Sequence, residues 1–178
     1  MKVIILLPEG DLAVGPIATV RAMFAEANDY LKKSEKDRPF FEVELSAFSM
    51  RHKRLEERFA VWPETKLSDF REGDLLIIPP VFGDPNLFLP ENQKLIDWLK
   101  EKRETHKVEI AALCKGVFLM AATGILNGKT STTHWVEAAR FKKMFPDVKL
   151  QSEKVITDED GIYTSGGASL AYNLILYL

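Results

Sequence analysis

The run Val3-Ile4-Ile5-Leu6-Leu7 is apolar without alternation, the pattern of a strand covered on both faces. Pro8-Glu9-Gly10-Asp11 breaks it. Pro16 suits the first turn of a helix, where its missing N–H costs nothing. Ile17, Val20, Met23, Phe24 and Ala27 then recur at helical spacing, which predicts a helix to about Leu31 and a charged loop over 32–38. Phe41-Glu42-Val43-Glu44-Leu45 alternates and reads as a more exposed strand, and residues 51–61 read as a small hairpin. Asp74-Leu75-Leu76-Ile77-Ile78 is another buried strand, ended by Pro79-Pro80. Within 87–107 lies a long amphipathic helix with Leu95, Ile96 and Leu99 on its apolar side. Residues 108–113 form a third strand, and 115–123 a short helix ended near Gly124. Further on, 129–133 reads as a short extended piece and 135–145 as a helix stopped by Pro146. Short strands at 148–150, 154–157 and 162–164 surround the turn Asp158-Glu159-Asp160-Gly161, and a last helix begins at Ser169.

Strands alternating with helices predict an α/β three-layer sandwich, a mostly parallel sheet with helices on both faces. Such sheets bind ligands at the carboxyl ends of their strands, so Pro8 to Asp11, Pro79 to Asp84 and Cys114 are expected at one rim. The 178 residues suit one domain, without repeats or an interdomain linker. Composition changes the picture mainly by exclusion. The net charge is −2, and acids and bases are interleaved, as in Arg51-His52-Lys53-Arg54-Leu55-Glu56-Glu57-Arg58, so no basic stripe is present for nucleic acid. A single cysteine permits no internal disulfide, and the chain reads as cytoplasmic. The apolar run 3–7 is too short for a signal-peptide core, and nothing approaches the ~20 apolar residues of a membrane helix. There is no His/Cys cluster with ligand spacing and no phosphate-binding glycine loop, so no metal and no cofactor is expected. Residues 169–178 are apolar along most of their length and stop without a capping residue or cations, which reads as a cut inside or at the edge of a longer polypeptide, the alternative being a natural C-terminus that ends in a docked helix.

The candidate chemistry sits at Ala111-Ala112-Leu113-Cys114-Lys115-Gly116-Val117-Phe118, a strand, a cysteine and a helix. A residue on such a turn is pushed out at the top of the sheet. The partial positive charge of the new helix and the ammonium of Lys115 both favour thiolate, and Gly116 leaves room for a ligand beside the backbone. The competing reading is a cysteine used as a small buried hydrophobe. His134, in Thr132-Thr133-His134-Trp135, supplies a base or partner for the thiol on the first reading and a structural imidazole on the second. His52 and His106 lie in charged surface segments and take no role.

These segments carry a resemblance. Cys114-Lys115-Gly116, Gly124-Ile125-Leu126-Asn127-Gly128, Thr132-Thr133-His134-Trp135, Phe145-Pro146 and Thr164-Ser165-Gly166-Gly167 follow one another as in the PfpI-like, class I glutamine amidotransferase-like superfamily. Together with Leu12-Ala13-Val14-Gly15-Pro16 they resemble the branch that forms the N-terminal sensor domain of AraC-type transcriptional regulators, with isonitrile hydratases as cousins. The resemblance covers essentially the whole chain. It implies a flavodoxin-like fold with Cys114 at the nucleophile elbow and His134 beside it, and Gly166-Gly167 as a small-residue turn before the last helix. It also implies a homodimer and a helix-turn-helix domain beyond Leu178 that carries the DNA contacts.

The departures from that pattern weigh against catalysis. Catalytic relatives set a first-loop carboxylate against the cysteine; the matching position is Val14, and the hydratases' acid falls at Leu12, leaving Asp11 and Glu9 as the acids able to turn toward the pocket. Pro80 stands where a backbone N–H would meet an oxyanion, with Gly83 as the substitute, and such a donor is worth about 10²–10³ in rate. The expected function is therefore a ligand-sensing or dimerising regulatory domain that binds a small molecule through Glu9, Asp11, Gly83, Lys115, Gly116, Trp135, Gly166 and Gly167. The alternative is a cysteine-dependent hydrolase or isonitrile-hydratase-like enzyme using Cys114 and His134. A redox-sensing Cys114 ranks last, since no stabilising carboxylate is evident in the sequence.

Overall fold

A computed structural model describes residues 1–31, 39–56, 58–70, 74–167 and 170–178. β1 (Lys2–Leu6) leads through the loop 7–13 into α1 (Val14–Leu31). β2 (Glu42–Ala47), a hairpin of β3 (Lys53–Leu55) and β4 (Phe59–Val61), and the short β5 (Thr65–Lys66) follow. Next come β6 (Leu75–Ile78), α2 (Pro85–Glu91), α3 (Gln93–His106) and β7 (Glu109–Leu113). The remainder is α4 (Val117–Ala122), β8 (Thr130–Ser131), α5 (Ala138–Met144), β9 (Lys149–Leu150), β10 (Ile156–Glu159), β11 (Ile162–Ser165) and α6 (Ala171–Tyr177). The predicted charged loop over 32–38 and the predicted start of the last helix at Ser169 lie outside the described residues.

Seven strands form one sheet in the order β10-β11-β7-β6-β1-β2-β5, parallel throughout except for the β10–β11 pair at one edge. β1 lies between β6 and β2, which explains its unbroken apolar run: Val3, Ile4, Ile5 and Leu6 are all buried. α1 packs against α6, while α2 and α3 pack against α4, and the two groups sandwich the sheet. The anticipated three-layer, flavodoxin-like architecture is therefore present, and the 51–61 hairpin forms with it.

The long helix anticipated within 87–107 is α3, and it is preceded by a separate helix. Asp84 caps α2 by accepting the Asn86 N–H, Pro85 occupies its first turn, and Pro90 lies inside it without an N–H to donate. The joint is Asn92, whose buried amide donates to the Phe88 and Glu9 carbonyls and accepts the Glu9 N–H. The predicted helices at 115–123 and 135–145 each open instead with a 3₁₀ turn, Cys114–Gly116 and Trp135–Glu137, before α4 and α5 proper.

Three loops meet at the carboxyl edge of the sheet. Ala13 donates to the Pro80 carbonyl at 3.3 Å and Phe82 donates to the Asp11 carbonyl at 2.7 Å, which stitches the loop after β1 to the loop after β6. The β3–β4 hairpin holds the first loop from the other side. Glu56 N–H donates to the Asp11 carboxylate at 2.7 Å, and the Glu56 carboxylate accepts from Val14 N–H at 3.1 Å, capping α1.

Candidate functional site

β7 ends at Leu113 in extended backbone, and Cys114 turns into the left-handed region at φ 54°, a conformation that costs a side chain-bearing residue about 1–2 kcal/mol. The strain is held by neighbours. Thr133 Oγ1 donates to the Cys114 carbonyl at 2.9 Å. Gly116 lets the new turn press onto β6: a Cβ there would stand 2.6 Å from the Pro79 carbonyl oxygen and 2.8 Å from that of Ile78. The close approach that Gly116 permits is thus made by the strand backbone, in place of the ligand the sequence suggested.

The sequence predicts that the helix start and Lys115 favour thiolate, and here burial overrides them. Desolvation pushes the Cys114 thiol above its ordinary value; the Lys115 N–H and ammonium oppose the shift, and the charge of Glu137 adds to it. Cys114 is 5 % exposed, and that burial favours its neutral thiol form. The Lys115 ammonium donates to the Gly83 carbonyl at 2.6 Å and pairs with the Glu137 carboxylate at 2.9 Å. Arg140 continues the chain of charge, 3.7 Å from Glu137 and 3.2 Å from Asp84. Four charged side chains therefore bridge the elbow, the loop after β6 and the start of α5.

His134 lies one residue beyond Thr133 but does not hydrogen-bond to the thiol. Its Nδ1 accepts the Val136 N–H at 3.3 Å, capping the turn that leads into α5, and its ring stacks on Trp135 with centroids 5.8 Å apart. Trp135 is 73 % exposed, and with Phe82, Leu87 and Val136 it leaves apolar surface around the charged network. Thr132 is a clamp: its N–H donates to Thr164 Oγ1 and its hydroxyl to the Lys154 carbonyl.

The first-loop acids are engaged elsewhere. Glu9 forms an ion pair with the buried Lys53, and the Asp11 carboxylate accepts from Glu56, so the hairpin occupies both. Gly83 adopts φ 94° and presents its carbonyl to Lys115. Gly166 is a packing glycine, since a Cβ would meet the Lys154 carbonyl at 3.0 Å; Gly167 faces Leu170. Sequence reasoning missed Glu137 and Arg140, and it placed Asp84 at the rim without a partner. An acid in the first turn of a helix is ordinarily a partner for the helix dipole, so nothing in the local sequence marks Glu137. Among the described residues no cluster of three His, Cys, Asp or Glu side chains is arranged to hold a metal, and no helix is long and apolar enough to cross a membrane.

A flavodoxin-like sheet that presents a strained cysteine at its carboxyl edge defines the class of protein. Residues 42–178 match the model of the DJ-1/PfpI family, and the chain belongs to that family. It is 28% identical over 112 residues to the HTH-type transcriptional regulator CdhR of Pseudomonas aeruginosa, a match spanning 63% of this chain and 32% of CdhR. It is 25% identical over 117 residues to the isonitrile hydratase of Pseudomonas putida, spanning 65% of this chain and 48% of the hydratase. The chain thus spans about a third to a half of the length of these relatives. Its fold superposes on an AraC family transcriptional regulator from Pseudomonas putida with a TM-score of 0.76 at 17% identity, over 99% of this chain and 88% of that one.

Proposed function

We propose that this chain is the ligand-sensing or dimerising domain of an AraC-type transcriptional regulator, working in the cytoplasm as a homodimer. DNA contacts would be carried by a helix-turn-helix domain beyond Leu178, and a small molecule would bind at the Cys114 rim. The observation that carries this reading is the state of the elbow. Cys114 keeps the nucleophile's backbone geometry while both first-loop carboxylates, Glu9 and Asp11, are tied to the hairpin and His134 caps its own turn. A fold that retains the position without a base suits recognition better than turnover. The similarity to CdhR supports the same reading. Reading the parent open reading frame beyond the codon for Leu178 tests it. About 100 further residues with a basic balance and two helix-turn-helix patterns are expected; a stop codon within a turn or two sinks the proposal.

The second reading is a cysteine-dependent hydrolase or isonitrile-hydratase-like enzyme, favoured by the positive φ at Cys114 and the similarity to the hydratase. It requires Cys114 to be alkylated rapidly near neutral pH. Alkylation that needs pH above ~8.5, the free-thiol value, excludes it.

A further inference from the structure

Lys115 and Glu137 are withdrawn from water to a degree that rim ion pairs rarely are. Their side chains are 15% and 17% exposed, whereas those of Arg140 and Asp84 are 46% and 44% exposed. A pair held that far from solvent is stable only when each partner's remaining hydrogen-bonding capacity is met. Here it is met. The Lys115 ammonium also donates to the Gly83 carbonyl at 2.6 Å, and the second Glu137 oxygen faces Arg140 Nε at 3.7 Å. The pair joins the residue after Cys114 to the turn after His134.

We propose that Glu137 is a positioning residue that keeps Cys114 unreactive by holding the Lys115 ammonium, so that the thiol lacks the free cation its own sequence neighbour would supply. The proposal rests on the reading of the Cys114 rim as the functional centre. Two features of an elbow promote thiolate, the start of a helix and an adjacent cation, and Lys115 is that cation. Drawn to Glu137 and Gly83, its ammonium still opposes the effect of burial on the thiol, and the Glu137 charge offsets part of that opposition. The remaining charged groups facing the elbow leave this balance intact: Arg140 is shared between Glu137 and Asp84, and the His134 ring is committed to the Val136 N–H. The arrangement can also open. Arg140 stands ready to take Glu137, so releasing Lys115 strands no carboxylate. Any ligand that separates the pair would convert a silent thiol into a reactive one.

The test is alkylation of the single cysteine by iodoacetamide, in which the thiolate sulfur forms the new C–S bond and iodide leaves. It is followed by mass from about pH 6 to about pH 10. Glu137→Gln is expected to lower the midpoint of the rate profile by about half a pH unit or more, roughly a threefold faster reaction at neutral pH. Glu137→Asp keeps the charge and is expected to restore the original midpoint. In a Lys115→Met background, Glu137→Gln is expected to move the midpoint much less, because its action runs through Lys115. An unchanged midpoint in folded Glu137→Gln protein overturns the proposal, and so does a rate raised equally at every pH, which would mean that Glu137 only obstructs access. If Glu137→Gln does not fold, Lys115→Met alone decides: a midpoint no higher than wild type overturns the proposal. A different outcome overturns the functional reading of the rim itself, namely no alkylation of folded wild-type or Glu137→Gln protein at any pH with full alkylation in denaturant.

Discussion

At the scale of single residues, two positions that carry no chemistry set the geometry of the site. Gly116 is required by distance rather than by dihedral, because any side chain there meets the Ile78 and Pro79 carbonyls. Gly116→Ala is expected to destabilise the protein by about 2–3 kcal/mol, read as a shift in the urea midpoint, since neither backbone oxygen can retreat without opening β6. Asn92 is the second. Its amide satisfies both backbone groups of Glu9 and the Phe88 carbonyl while only 2% exposed. Asn92→Ala would take this partner from both backbone groups of Glu9, while the Phe88 carbonyl keeps the Asn92 N–H, for an expected loss of about 2–3 kcal/mol in the same measurement. Cys114 belongs at this scale too. The strand–cysteine–helix pattern revealed its backbone role, but the direction of its titration is set by burial, with a smaller push from Glu137, and neither is legible in its sequence neighbours.

At the scale of elements, periodicity located β1, α1, β6, α3 and β7 because each buries a contiguous apolar face. α2 has seven residues and was not read as a separate helix, and β5 has two residues, too few for any period. Elements are also tied by charge. Glu64, just before β5, accepts from Arg21 on α1 at 2.7 Å and from the Leu45 N–H in β2 at 2.9 Å. The Arg21 hydrogen bond holds the Glu64 carboxyl below its ordinary value, against the opposing effect of burial. A depressed folded-state value contributes stability that is present above the unfolded carboxylate value, near 4.3, and is lost as pH falls through the folded one. Glu64→Gln is therefore expected to lower the melting temperature at pH 7 by roughly 2 °C, a modest effect because the pair is exposed. The gap to wild type should close as the medium is acidified below about pH 4. A gap that stays constant well below that pH would show that the carboxylate's charge does not bridge α1 to β2.

At the scale of the whole molecule, the balance of charge bears on partners. With a net charge of −2 and no basic stripe, residues 1–178 are expected not to retard duplex DNA at about 0.1 M salt. Retardation by this chain alone would place DNA contacts in the sheet domain and contradict the proposed division of labour. The sequence by itself determined the parallel α/β architecture, the elbow at Cys114 and the two loops beside it, 8–11 and 79–84, since these follow from local apolar period and from the rule that such sheets open at their carboxyl ends. Only the tertiary structure decided what the rim holds. The hairpin claims Glu9 and Asp11, Glu137 claims Lys115, and His134 turns to its own helix. Each of these is a choice of hydrogen-bond or charge partner, and all but the His134 cap are made across long stretches of chain. Partners so far apart in sequence are selected by which loops the folded sheet brings together, a distance that no local pattern encodes.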